Sequence, residues 1–363
     1  MIVDALVNGR PVSLMFDTGF GGSVIVDNSL NIGKPTGTMT LRDFVGEFQA
    51  STVKIQSLKM GAMNIAPRNM EAIQQPSAHM TLSYNTHCNG IMGFEVIMNN
   101  VTEINFEKNK FIFYPDSYDI SKKVPDNKRT FLAKMLPKGN NSIEMQVEAS
   151  TGKKMTLALD TGNAYYATTH TEVLERIGLW KHGTEPKFMG ASFVASGEVN
   201  SWAVRLKDLK IYGVPVKDSV WSIIDLPSSS AEHDGTVGFG FLKNFNITID
   251  YARRRVWLEN FNGQVDSLPT GDVGIMVFPM PQNQNRMTIV RVSKGSAAEK
   301  VGLKRGDVLL SVDGNDILDG DFRRVSKLLE GEKGSKVKLA VSRQGNLIRY
   351  EVEREFLVNE ATP

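Results

Sequence analysis

The sequence predicts a mainly β protein in which one unit is used twice and a smaller module of different grammar follows. Three observations carry this. Asp17-Thr18-Gly19 recurs as Asp160-Thr161-Gly162, and each triplet closes an apolar run, residues 12–16 and 155–159. Gly-x-x-Gly follows each triplet at a matched distance, as Gly90-Ile91-Met92-Gly93 and Gly235-Thr236-Val237-Gly238. A composition shift follows Asn262, after which short helical patterns alternate with strands. The offsets agree: 160 minus 17 is 143, 238 minus 93 is 145, and the strand pairs opening near Ile104 and Ile249 are again 145 apart.

The first unit, residues 1–122, reads as short strands of period-two alternation. Turn signals at Asn8-Gly9, Gly21-Gly22, Gly33 to Gly37 and Gly61 separate them. Gly9 lies eight residues before Asp17, and Gly152 lies eight before Asp160. Residues 116–129, charged and holding Pro125, read as a linker. The second unit, residues 123–263, repeats the strand grammar at 198–199, 204–211 and 219–224, with a loop at 227–230. Its helix is expected over 171–179, capped by Thr171 and stopped near Gly178. After a second linker at 266–272, residues 264–363 form a separate module. Strands are expected at 275–277, 288–292, 308–312, 336–342 and 348–353, with helices at 297–301 and 322–329.

Composition narrows the function classes. The chain has 363 residues, 41% of them hydrophobic and 23% charged, which suits two or three globular domains. A net charge of +2 implies no nucleic-acid partner, and Arg253-Arg254-Arg255 reads as a solvated hairpin turn. Cys88 is the single cysteine, so no internal disulfide forms. No apolar run approaches the ~18 residues of a membrane helix. The chain opens directly on a strand, residues 2–7. This points to residues upstream, such as an export signal, and to a periplasmic or extracellular bacterial setting, with the cytoplasm left open. The histidines, His79, His87, His170, His182 and His233, match no metal-site spacing. No metal and no cofactor is expected.

Two carboxyls a few ångströms apart share one proton, because like charges that close do not both ionise cheaply. One then accepts a proton while the other donates. A duplicated unit with one Asp per copy brings such a pair together in a single chain. The Thr of each triplet can brace the opposite loop, and the Gly lets backbone come close.

With these residues in place, the sequence resembles the aspartic proteases, as two retropepsin-like D-T-G lobes in tandem. The resemblance covers about 260 residues. It implies an acid-protease β-barrel lobe per copy and catalytic Asp17 and Asp160, supported by Thr18, Gly19, Thr161, Gly162 and Asn163. It also implies flap hairpins near residues 38–48 and 188–202. The expected activity is aspartic endopeptidase action on polypeptide substrates by a single chain. A catalytically weak peptide-binding protein on the same fold is the alternative. Phe20 and Asn163 follow the two glycines. Asn163 can donate to its carboxylate where Phe20 cannot, so Asp160 is expected to be the better stabilised anion.

The stretch from Gly295-Ser296-Ala297-Ala298 through Gly302-Leu303 and Gly306-Asp307 to Asp313-Gly314 resembles a bacterial-type PDZ domain, a small β-barrel with two helices. PDZ domains add an extended peptide to a sheet edge. The resemblance implies capture of peptide C-termini by N–H groups of Val273, Gly274 and Ile275. Met276 and Val277 would lie in the pairing strand, and Ile275, Val277 and Val325 would supply apolar specificity. A module that only packs on the rest is the other reading.

Overall fold

The computed structural model describes the chain except residues 43–46, 66–69, 77–85, 137–141, 195–196, 225–233, 318–320 and 363. The loop expected at 227–230, the flap positions 43–46 and 195–196, His79 and His233 lie outside the described residues.

The fold is mainly β, with few helices. A nine-stranded sheet runs, in spatial order, through strands Gly37–Arg42, Glu47–Lys54, Glu71–Gln75, Val24–Asp27, Gly90–Gly93, Arg10–Asp17, Ile2–Val7, Leu58–Met60 and Met63–Asn64. An eight-stranded sheet repeats its centre. Strand Lys154–Leu159 lies parallel to Gly235–Val237, as Arg10–Asp17 lies parallel to Gly90–Gly93. Ala167–His170 is antiparallel to Gly235–Val237, as Val24–Asp27 is to Gly90–Gly93. The opening glycine of each Gly-x-x strand explains its residue type. A Cβ on Gly90 would lie 1.9 Å from the Ile25 carbonyl oxygen, and one on Gly235 would lie 2.1 Å from that of Thr168. Only glycine allows strands this close.

A five-stranded sheet joins the two copies. Strand Val101–Asn105 pairs antiparallel with Phe245–Asp250, and Glu103 sits opposite Thr248. These two residues are 145 positions apart, the repeat offset itself. Equivalent residues therefore face each other, and the pseudo-twofold axis passes between them. Leu14, Phe16, Ile104, Leu159, Ile247 and Ile249 belong to one continuous buried core that spans both copies. The strand Thr130–Lys134 pairs with Arg255–Asn260 and so belongs with the second copy. Ile120, in the stretch read as a linker, is fully buried in the 3₁₀ turn Ile120–Lys122.

Several local expectations are corrected. The helix is Thr171–Ile177, and its cap is His170 rather than Thr171; Gly178 ends it in the left-handed conformation, φ 76°. The strands expected at 198–199 and 204–211 are one strand, Gly197–Ile211, because residues 200–203 contain neither Gly nor Pro to break the ladder. Its partner Val214–Ile224 begins earlier than read.

The C-terminal module has its own sheet and its own buried core. Its helices are Ala297–Lys300, capped by Ser296, and Phe322–Leu329, capped by Asp321. Apolar residues at Val325 and Leu329 fall on one face of the second helix and are buried. Beyond its last hairpin the chain returns to the second copy. Strand Asn359–Glu360 pairs parallel with Gly197–Ile211, a contact that sequence reading missed. No helix among the described residues is long and apolar enough to cross a membrane.

Candidate functional site

Asp17 ends the strand Arg10–Asp17, and Asp160 follows the strand Lys154–Leu159 directly. Each turn is built the same way. Asp17 Oδ1 accepts from the backbone N–H of Gly19 at 2.8 Å and of Phe20 at 3.2 Å. Asp160 Oδ1 accepts from Gly162 N–H at 2.9 Å and Asn163 N–H at 3.0 Å. The Asx-type turn aims the other carboxyl oxygen outward, away from its own loop.

The threonines lock the loops to one another. Thr18 Oγ1 donates to the Leu159 carbonyl at 2.7 Å, and Thr161 Oγ1 donates to the Phe16 carbonyl at 2.8 Å. Both side chains are buried. The glycines then determine how near the carboxyls come. A Cβ on Gly162 would lie 2.3 Å from Asp17 Cγ, and one on Gly19 would lie 2.7 Å from Asp160 Cγ. The Asp17 and Asp160 carboxyls are hydrogen-bonded to each other.

Burial pushes both carboxyls above the ordinary carboxylate range, and the negative charge of Asp17 pushes Asp160 well above it. The hydrogen bond from Asp160 acts in the opposite sense on Asp17. The two carboxyls therefore titrate as a pair that holds one proton between them above the ordinary carboxylate range. The contact expected from the Asn163 side chain is corrected. Its amide Nδ2 donates to Thr168 Oγ1 at 2.9 Å and Thr236 Oγ1 at 2.7 Å, so it braces the second copy and does not reach Asp160. What reaches Asp160 is the Asn163 backbone N–H, and Phe20 supplies the same bond to Asp17. Such a pair presents a donor and an acceptor at one point.

Sequence reading missed Tyr165. It stands five residues after Asp160, where the first copy has Gly22 five after Asp17. Its hydroxyl meets Ser192 Oγ at 2.9 Å, and Ser192 Oγ donates to Ser201 Oγ at 2.7 Å. Counting the same offset in both copies would have exposed the asymmetry.

In the C-terminal module, strand Ile275–Met280 is an edge strand, paired among the described residues only with Arg286–Val292 in its sheet. The loop before it is partly engaged already. Gly274 N–H donates to Asp272 Oδ1 at 2.6 Å, so the expectation of an unpaired N–H at Gly274 is corrected. Burial raises the Asp272 carboxyl above its usual range. The Val273 carbonyl accepts from Ala298 N–H, and Val273 is fully buried. Ile275, Val277 and Val325 are buried together in the module core, where they hold the fold.

A PDZ domain model matches residues 288–343. A protein of Lactococcus lactis subsp. lactis (strain IL1403) named as a zinc metalloprotease is 30% identical over 128 residues, 34% of this chain and 28% of that protein. The carboxy-terminal processing protease CtpA of Bacillus subtilis (strain 168) is 36% identical over 64 residues, 18% of this chain and 14% of that protein. A CtpA-like serine protease of Staphylococcus haemolyticus (strain JCSC1435) is 29% identical over 96 residues, 26% and 18% respectively. Among solved structures, a photosystem II D1 C-terminal processing protease matches at 26% identity with a TM-score of 0.24, covering 25% of this chain and 24% of that one. The chain thus spans less than a third of the length of these curated relatives.

These matches correct the expected activity. The chain carries a PDZ domain, and its relatives are proteases of serine and zinc type, so the reading as an aspartic-type, pepsin-like endopeptidase is withdrawn. The physical reason is general. Matched turns fix two carboxyls in space, but a constellation on a scaffold does not by itself dictate which reaction is run.

Proposed function

We propose that this protein engages polypeptides at two places. The PDZ domain takes a chain end at the edge strand Ile275–Met280, beside the loop of Val273, Gly274 and Ile275, where Asp272 must first yield the Gly274 N–H. The cleft between the two copies takes an extended segment, which meets Asp17 and Asp160. In fold, we read the two copies, residues 1–122 and 123–263, as lobes of the acid-protease type, with residues 264–363 as the third domain. Polypeptide is also the substrate class implied by the protease names of the relatives, and an exported setting fits them.

The observation that carries this is the contact between Asp17 and Asp160, set by loops from separate copies. Two carboxyls brought into contact where the copies meet serve no need of the apolar core. Perturbed groups of this kind gather at functional sites. The test incubates the protein with a peptide mixture across about pH 4 to 8 and identifies retained and altered peptides by mass spectrometry. Engagement should vary with pH in the wild type and lose that dependence in Asp17→Asn and Asp160→Asn. Superimposable profiles in all three proteins would remove the pair from the function.

A further inference from the structure

The hairpin Gly190–Val194 with Gly197–Ile211 is held from two sides. On the side of the carboxyl pair, Tyr165 reaches Ser192 Oγ from the loop that carries Asp160. That loop is stiff, because Tyr165 N–H donates to Asn163 Oδ1 at 3.0 Å and Gly240 N–H donates to the Tyr165 carbonyl at 3.0 Å. On the opposite side stands the PDZ domain. Arg291 Nη1 donates to Glu198 Oε1 at 3.2 Å, and Arg291 Nη2 donates to Asn200 Oδ1 at 3.0 Å. Next to it, Met189 and Lys294 exchange backbone hydrogen bonds, and Ser293 N–H donates to the Gly274 carbonyl. Hydrogen bonds therefore lead from the PDZ loop, through the hairpin, to the loop of Asp160. Tyr165 is nonetheless 42% exposed, so its ring also offers a surface to a bound chain.

We propose that Tyr165 is a positioning residue of the cleft, latching this hairpin beside the carboxyl pair, and that Arg291 holds the same hairpin from the PDZ side. A polypeptide in the cleft is then gripped unequally, by a phenol on the second copy and, on the first, by Gly22, where the Phe20 ring fills the place of a side chain. Occupancy of the PDZ domain bears on that grip through Arg291. The proposal rests on polypeptide binding between the copies, as read above.

The experiment uses the full chain and a fluorescein-labelled, C-terminally amidated peptide taken from the retained fraction. Amidation removes the carboxylate that a PDZ loop recognises. Tyr165→Phe keeps the ring and removes one hydrogen bond, so affinity should fall about three- to tenfold. Arg291→Gln should lower it by a similar factor. Because both act through one hairpin, the double variant should depart from the product of the single effects. Hydrogen exchange of the hairpin amides should rise in each variant, while the pH at which the carboxyl pair titrates stays unchanged. Single variants that match the wild type in affinity and exchange would overturn the latch. Independent effects that multiply in the double variant would overturn the shared hairpin. A wild type that binds no peptide while the variants still loosen the hairpin would overturn the polypeptide reading and Tyr165's role in the cleft, but not the mechanical link.

Discussion

Thr18 and Thr161 each serve as the other's hydrogen-bond acceptor: Thr18 N–H donates to Thr161 Oγ1 at 3.1 Å, and Thr161 N–H donates to Thr18 Oγ1 at 3.0 Å. The exchange is symmetric and buried, and it fixes the separation of the two loops before the carboxyls contribute anything. The neutral hydrogen bonds thus hold the carboxyls in place even when both are ionised, the state in which their charges favour separation.

That division of labour can be tested at Thr18. Thr18→Val leaves Thr161 N–H and the Leu159 carbonyl without their partner in a buried interface. Each such group costs about 1–3 kcal/mol, so a loss of about 2–6 kcal/mol is expected in urea unfolding. Thr18→Ser keeps the hydroxyl and should lose only about 1 kcal/mol, the value of one buried methyl. Equal losses would show that packing, not the hydrogen bonds, joins the copies.

The titration of the pair has a signed consequence for stability. Both carboxyls are raised from the ordinary value of 3.8, Asp160 the further. The folded state therefore holds the proton more tightly than the unfolded state. This contribution is fully present below 3.8 and is lost as pH rises through the raised folded value. Asp160→Asn removes it, so the variant should be more stable than the wild type near neutral pH and lose that advantage in acid. Denaturant midpoints of both proteins across that range check it. A constant difference would mean that Asp160 is not raised.

Asn359 should behave as a clasp between the PDZ domain and the second copy. Its side chain is buried, accepts from Lys187 N–H at 2.7 Å and Phe188 N–H at 3.2 Å, and donates to the Ala203 carbonyl at 2.9 Å. Asn359→Ala strands these backbone groups, at about 1–3 kcal/mol each where water does not reach them. Hydrogen exchange should rise at residues 187–189 and 203–206, with the PDZ core still protected. Protection unchanged at those amides would assign the docking to Arg291 and the Met189–Lys294 pair instead.

How far the sequence revealed this architecture depends on the range of each interaction. The repeat was readable because Asp-Thr-Gly, the apolar run before it and the later Gly-x-x-Gly are local patterns at fixed offset. The two-helix module was readable from Gly302, Gly306 and Asp313-Gly314. The partners of Asn163, the reach of Tyr165 to Ser192 and the return of Asn359 were not. Each joins residues far apart in the chain, or sends a side chain along one of several paths that residue type leaves open. Asp272 shows the same limit at short range: its carboxyl takes the Gly274 N–H two residues away, in a loop whose glycines suggested an external acceptor. The reaction itself was least legible, because the repeated triplets specify positions and not chemistry.

Gly162 offers the sharpest test of how closeness controls the pair. Its backbone is not left-handed, so alanine meets no torsional strain there. The obstacle is space: the new Cβ would lie 2.3 to 2.5 Å from the Asp17 carboxyl atoms. The carboxyl has to swing aside, which separates it from Asp160. Without the nearby charge, Asp160 should titrate lower than in the wild type, and the stability lost between acid and neutral pH should shrink. Gly19→Ala should do the same more weakly, since its Cβ would lie 2.7 to 2.9 Å from the Asp160 carboxyl. Gly9→Ala is the control. It has open space but φ +79°, so it should cost about 1 kcal/mol through the backbone and leave the titration alone. Carbon-13 shifts of labelled aspartate carboxyls against pH report the pair directly. If Gly162→Ala titrates like the wild type, the Asp17 carboxyl has room that this geometry denies it, and contact with Asp160 is not what raises Asp160.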